Sequence, residues 1–515
     1  MIPRTSRRPF HLALALLILA LAAPLGAQPV DPRFAAVRDT IRAIMDSLDV
    51  PSISVAIAQG DRVLWEESFG FADIQAQRRA TPRTLYSLAS ISKPITATGL
   101  MVLVERGRID LDQPANRYLG AGRLRAFEGS ENDATVRRLL THTAGLPLHY
   151  QFFYAGGAPV HSMDTAIARY GVLVYPPGER YYYSNLGYGI IDHLIARTSG
   201  VPYAEFMQRE VFQPLGLREI VVSDGADLGD RAAVRYDGDR TPLPPYTFDH
   251  LGASSVYASA HDLVRFGQWH LGARLNGARD VLTADTRRRM QASDAPTDQP
   301  EIARGLGWGI LENDHGLRRV SHGGGMPGVA TVLNLFPEES LVVVVLANTS
   351  GVPTARIAAQ MTAAVVPRYA HRLQQWSDSI RQARAAGSSA SAPAAPGTRG
   401  GAALSEVAGR WTGMVLVRRD SVPLTLTIGP DGRGSVRLGE HPDTLAGVQL
   451  SNGWLTARFR GEILGADAAG PAALARHMIV LNVRRRGDRL TGWASVIANS
   501  DRSYGAVSYR VELAQ

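Results

Sequence analysis

Apolar residues recur at steps of three and four from Phe34 through Val37, Ile41 and Ile44 to Leu48, a spacing that predicts an amphipathic helix. Two strand-like runs follow, SISVAIAQ and RVLWEESFGFA, and Gly60 with Asp61 between them suits a tight hairpin. Far downstream the same texture returns in GVATVLNLF and LVVVVLANTS, separated by the turn PEES, with RRVSHGGG as a further strand just before them. A long, mostly helical region separates the two groups, and one helix from about Pro353 to Ala385 is expected after the last strand. Strands from both ends joined in one antiparallel sheet, flanked by helices and with a helical region inserted, make an α+β fold over residues 30–370.

The segment AAGSSASAPAAPGTRGGAA is small, polar and proline-bearing, which is linker composition. Residues 371–403 are therefore read as a helix end and a flexible linker. From Leu404 alternation resumes in VPLTLTIG, GSVRLGE, WLTARFRGE, HMIVLNVRR, LTGWASVIA and AVSYRVELA, divided by turns such as PDG and RGD. This predicts a small antiparallel β-barrel or sandwich over 404–515. With a flexible linker before it, a chain ending near Arg384 is expected to fold without it.

Composition changes the picture at the amino end, where Arg4, Arg7 and Arg8 precede an uninterrupted apolar stretch, Leu12 to Ala23, that ends in the small residues Gly26 and Ala27. That is the pattern of a secretory signal peptide over residues 1–27. The paired arginines before Phe10 also fit a twin-arginine signal, so a secreted or periplasmic protein is expected. With zero cysteines, neither disulfides nor cysteine metal sites can form. The 13 histidines fall in no ligand-spaced pattern, so no metal and no cofactor is implied. The formal net charge of +8 is scattered along the chain, which speaks against nucleic acid as a partner. No apolar run after the signal reaches membrane-spanning length, and no feature specifies the oligomeric state.

Lys93 is the sole lysine among 55 basic residues. Lysine can release its proton where its surroundings depress its pKa, and arginine cannot; codon bias explains the count equally well. In SLASISKPITATGL the residues from Ile91 to Val104 are nearly all apolar or small, Pro94 falls in the first turn and Gly107 closes the run. A buried helix is predicted. Ser90 at its amino end and Lys93 three positions on share a face, so a hydroxyl and an amine can meet as nucleophile and base. Burial and the positive helix terminus both disfavour the ammonium form. Ser90 alone also reads as a helix cap.

In GERYYYSNLGYG, Tyr183 and Asn185 are candidates for proton exchange and positioning. A phenol beside an ammonium is expected to shift toward its anion and to trade protons with Ser90 or a leaving group. Asn185 can hydrogen-bond both Lys93 and a substrate amide. The run also reads as a packed aromatic loop. In SHGGGMPG, His322 to Gly325 lie on a strand edge, and glycines within a strand mark a place where something approaches the backbone closely. A substrate along that edge would be held by main-chain hydrogen bonds, with the Gly325 and Ser90 amides as an oxyanion hole.

Ser-x-x-Lys on a helix, then LLTHTAGLP, then Tyr-x-Asn, then a His-x-Gly strand followed by two strands and a terminal helix: in this combination the chain resembles the serine β-lactamase and penicillin-binding-protein superfamily. The resemblance covers roughly residues 30–370 and is closest to the class C β-lactamase-like branch, which includes esterases and D-amino-acid-specific peptidases. It implies a β-lactamase/transpeptidase-like fold with Ser90 as acylated nucleophile, Lys93 as its activating partner and Tyr183 as a second acid/base. Asn185 would position substrate, and His322, Gly324 and Gly325 would face it. The tail resembles the lipocalin-like domains appended to such hydrolases.

One position departs from the family's pattern. A lysine usually opens the strand motif and attracts a substrate carboxylate; here that residue is His322, mostly neutral above its usual pKa of about 6.5. An ester, amide or peptide bond in a small-molecule or peptide substrate is therefore expected ahead of a β-lactam, cleaved through an acyl-enzyme on Ser90. The alternatives are a β-lactamase or D-alanyl-D-alanine carboxypeptidase and, from another class, a penicillin-type sensor that acylates without turnover.

Overall fold

The computed structural model describes residues 31–154, 160–385, 404–417, 420–451, 453–463, 477–499 and 503–515. The expected signal peptide and the linker segment 386–403 lie outside the described residues.

The first amphipathic pattern forms helix α1 (Ala35–Leu48), which buries Val37, Ile41 and Ile44. The hairpin forms as β1 (Ser52–Gln59) and β2 (Arg62–Asp73). Gly60 between them has φ 58°, a left-handed conformation that tight hairpin turns require and glycine adopts without strain. The long insertion that follows is largely helical and includes α2 (Ser92–Glu105) and α3 (Asn185–Ser199). The chain then returns to strand as β3 (Gly309–Asp314), β4 (Leu317–Met326), β5 (Val329–Phe336) and β6 (Leu341–Ala347).

β6 pairs antiparallel with β1, Ile53 opposite Ala347 and Gln59 opposite Leu341, so distant parts of the chain meet inside a nine-stranded sheet. β5 and β6 are buried at every position. Successive side chains enter two different cores: Val343 and Val345 join α1, whereas Val342, Val344 and Leu346 join the inserted helices. A sheet covered on both faces reads as a continuous apolar run for that reason.

Where one helix is expected after β6, two form: α4 (Thr354–Val365) and α5 (Pro367–Ala385). Pro367 has no backbone N–H to continue the ladder and pushes Val366 out of helical geometry, to φ −115° and ψ 98°.

The tail is a nearly closed antiparallel barrel, and it contains strands beyond the six expected: Gly409–Val417, His441–Thr444 and Ala446–Ser451. The first escapes an alternation test because Gly413 interrupts it. A Cβ there would lie 2.1 Å from the Glu512 carbonyl oxygen of the antiparallel neighbouring strand. The Arg460 N–H donates to Asp443 Oδ2 at 2.6 Å, drawing the two ends of the sheet together.

The barrel does not stand clear of the rest. Its last strand, Ser503–Ala514, pairs with Tyr150–Tyr154 from the inserted region, which pairs in turn with Tyr246–Phe248. Trp454 and Trp493 pack with Val174, Tyr175 and Tyr182. Arg484 forms ion pairs with Glu128 and Glu179. Among the described residues no helix is long and apolar enough to cross a membrane.

Candidate active site

Ser90 sits in a single 3₁₀ turn, Ala89–Ile91, that leads directly into α2. Ala89 holds φ 47°, a left-handed conformation uncommon for a residue with a side chain. Its neighbours fix it there: the Leu88 carbonyl accepts the Ile91 N–H at 3.2 Å and the Thr331 hydroxyl of β5 at 3.0 Å. Local strain of this kind persists only where surrounding contacts over-determine it. Ser90 lines a cleft of about 300 Å³ together with Tyr183, Arg304, Arg319, Ser321 and His322.

From Ser92 to Leu103 every residue of α2 is buried, and Lys93 is 0% exposed. Its Nζ lies 2.8 Å from Asn185 Oδ1, 3.1 Å from the Ala253 carbonyl oxygen and 3.1 Å from Ser90 Oγ. None of these partners is a carboxylate. Burial, and secondarily the Arg304 guanidinium, hold the Lys93 pKa well below its usual 10.5. A neutral amine has two hydrogens and one lone pair. The oxygens of Asn185 and Ala253 can only accept, so in that form they take the hydrogens and the lone pair is left for the Ser90 hydroxyl.

The Tyr183 hydroxyl hydrogen-bonds with the Ser90 side chain, and the ring centroid lies 4.8 Å from Lys93 Nζ. An anion-prone phenol is the expectation from sequence, but burial pushes the Tyr183 pKa above its ordinary 10. Loss of solvation outweighs the Ser90 hydrogen bond and the Arg304 charge, both of which favour the anion. Asn185 is the first residue of α3, behind Ser184, whose side chain caps the helix by accepting the Gly187 N–H.

The segment LLTHTAGLP gains a physical role from His142. Its carbonyl accepts the Tyr182 N–H at 2.8 Å, its Nδ1 accepts the Ser184 N–H at 3.1 Å, and its ring centroid lies 4.3 Å from that of Tyr183. The backbone is thus gripped on both sides of the tyrosine.

His322 is buried on β4, and its Nδ1–H donates to the Gly323 carbonyl at 2.7 Å. Burial first, then the Arg304 charge, lower its pKa to about 3, so it is neutral at any ordinary pH. Gly324 and Gly325 differ in what surrounds them. A Cβ on Gly324 would lie 2.1 Å from the Leu88 carbonyl oxygen, in the turn that carries Ser90, while one on Gly325 would meet nothing within 4 Å. Gly324→Ala is expected to destabilise the protein by about 1–3 kcal/mol through backbone displacement and to slow Ser90 labelling, whereas Gly325→Ala should leave the melting temperature nearly unchanged. Paired melts and labelling rates check this.

Six of the seven sequence candidates thus gather around one cleft or its immediate wall, and Gly325 follows Gly324 directly on β4. Three further groups had no readable signal. Ala253 contributes only a backbone carbonyl, and Arg304, from the strand Ile302–Arg304, is one arginine among many until the fold brings it to the cleft. The third is a buried cluster in which Asp249 accepts from His149 Nε2, 3.0 Å away, and from His250 Nδ1. These three groups are close enough to hold a metal ion, although their spacing suggested no ligand pattern. The carboxylate already serves both imidazoles, and His250 directly precedes the short helix Leu251–Ser254, which carries the Ala253 carbonyl.

Residues 37–366 match the Beta-lactamase family. The chain is 28% identical over 318 residues to Penicillin-binding protein 4* of Bacillus subtilis (strain 168), an alignment covering 57% of this chain and 67% of that protein. It is 29% identical over 309 residues to Esterase EstB of Burkholderia gladioli, covering 52% and 76%. Among solved structures, the octameric penicillin-binding protein homologue from Pyrococcus abyssi is similar with a TM-score of 0.55 at 21% identity, covering 93% of this chain and 99% of that one. A class C beta-lactamase from Rhodobacter sphaeroides gives a TM-score of 0.52 at 23% identity, covering 66% and 98%. Because the matched segment spans more than half of the chain and contains Ser90, Lys93, Tyr183, Asn185 and His322, this protein belongs to the Beta-lactamase family of serine hydrolases.

Proposed function

We propose that the protein is an exported serine hydrolase that opens an ester, amide or peptide bond through an acyl-enzyme on Ser90. The observation that carries this reading is the buried Lys93 Nζ at 3.1 Å from Ser90 Oγ, with Asn185 Oδ1 and the Ala253 carbonyl as its other partners and no carboxylate among them. Ser90 Oγ attacks the carbonyl carbon while its proton passes to Lys93 Nζ. The backbone amides of Ser90 and Gly325 receive the oxyanion. As the tetrahedral adduct collapses, the leaving atom takes a proton from the neutral Tyr183 hydroxyl, which recovers one from the Lys93 ammonium. Water then enters in place of the leaving group and reverses the proton path, releasing the acid and restoring Ser90. Export is supported by the basic-then-apolar pattern of residues 1–27.

A fluorophosphonate probe is expected to add mass to the peptide containing Ser90 and to label nothing in Ser90→Ala. Labelling that survives the substitution sinks the assignment. A panel of p-nitrophenyl esters, D-amino-acid amides and nitrocefin then sorts the bond type, and nitrocefin turnover at ester-like rates would favour the β-lactamase alternative.

A further inference from the structure

The cleft beside Ser90 contains a cation with no counter-charge among the described residues. Arg304 ends the strand Ile302–Arg304, which pairs with β3, and β3 pairs with β4, so the guanidinium comes from two strands away from His322. Its register partner is Gly309, where an added Cβ would lie 3.3 Å from Arg304 Nη1. The absence of a side chain there leaves room for the guanidinium against the sheet. Nη2 donates to the Tyr181 hydroxyl at 2.7 Å, and Nε is buried with no hydrogen-bond partner. Arg319, the cleft's other arginine, is already paired with Asp314 at 2.9 Å. A partly buried guanidinium with unused donors is unfavourable until an acceptor arrives, and its planar fork suits a carboxylate.

We propose that Arg304 is the anion-recognition residue of this active site, and that the substrate carries a carboxylate on the portion that departs as the leaving group. The side follows from position: the guanidinium carbon lies 6.0 Å from the ring centroid of Tyr183, the group that protonates the leaving atom. The proposal rests on the acyl-enzyme reading above. It also relocates the charge that the sequence shows to be missing at His322, placing it two strands away in the same sheet. The field of Arg304 reaches the rest of the site, since it contributes to lowering the pKa values of Lys93, His142 and His322.

The test uses the full chain with 3-acetoxybenzoate and its methyl ester, which differ in charge but little in shape, with rates corrected for uncatalysed hydrolysis. The carboxylate is expected to be preferred by about ten- to a hundredfold in kcat/KM, the range for a hydrogen-bonded charged partner. In Arg304→Gln that ratio should fall to near one; Arg304→Lys should keep part of it, and Arg319→Gln should keep it whole. Melting temperatures are measured for each variant. If neither ester turns over, the same comparison is made by how far 3-hydroxybenzoate and its methyl ester slow fluorophosphonate labelling. Equal handling of both compounds by the parent, or an undiminished ratio in folded Arg304→Gln, overturns the proposal. A shifted pH profile with an unchanged ratio also overturns it, because Arg304 would then act only through Lys93. Failure of the probe to label Ser90 removes the acyl-enzyme reading itself, a result separable from all of these.

Discussion

Replacing Lys93 by arginine is expected to slow acylation of Ser90 by about a hundredfold to ten-thousandfold, nearly as much as replacing it by alanine. Arginine retains the positive charge and much of the bulk, but it cannot surrender a proton at any working pH. A residue needed only for its charge would give the opposite ranking. The site argues for proton transfer, because Lys93 is buried without a carboxylate and its pKa is held well below 10.5. The pH profile follows in sign. The amine acts as a base when neutral, so acylation should fall as pH drops through the lowered Lys93 pKa and level off above it. His322 titrates at about 3 and adds no inflection near neutrality. Stopped-flow acylation with a chromogenic ester measures both effects, with melting curves to exclude a packing defect from the larger head group. A folded Lys93→Arg protein that acylates near the parental rate would leave codon bias as the explanation of the sole lysine.

A chain ending at Ala385 is expected to melt at a lower temperature than the whole protein and to label at Ser90 far more slowly, if it is soluble. Linker composition suggests the reverse outcome, but the contacts made by the barrel argue against it. Its removal strips the cover from Tyr175, now 1% exposed, whose ring packs edge-on to Trp454 and Trp493 at centroid distances of 4.5 and 4.2 Å. Burying aromatic groups of this size stabilises by about 1.5–3 kcal/mol each, so several together are comparable with a domain's whole net stability. The strand Tyr150–Tyr154 would also lose its partner Ser503–Ala514. Disturbance there reaches the site by two short routes. Tyr182, which packs with Trp493, adjoins Tyr183. His149 precedes the strand and is bonded to Asp249, at the start of the segment that carries Ala253. Thermal melts and labelling rates on both chains decide the matter, and a truncated protein with parental values for both would show that the interface is dispensable.

The Ser90–Lys93 pair was legible because helix geometry converts a spacing of three into a shared face, whatever the rest of the chain does. The Tyr183–Asn185 element and the glycines of β4 were legible for a related reason: each is a short run whose residue types limit what its backbone can do. The hairpin of β1 and β2 and the apolar runs of β5 and β6 likewise carried their periodicity in the sequence. The break at Pro367 was available too, since proline disrupts a helix wherever it falls in its interior.

The direction of the Tyr183 shift was not available, because it depends on how completely distant segments bury the phenol, and a sequence does not show that. The Ala253 carbonyl, the Asp249 cluster and the unpaired Arg304 share this dependence. Each acts through a neighbour far away in sequence, such as Asp249 with His149 at a separation of 100 positions. The docking of the barrel is of the same kind, since alternation reveals that a strand has a buried face but not what covers it. Local stereochemistry, repeated at short intervals, is determined by the sequence alone; desolvation and charge balance are sums over everything that folding brings near, and only the tertiary structure decides them.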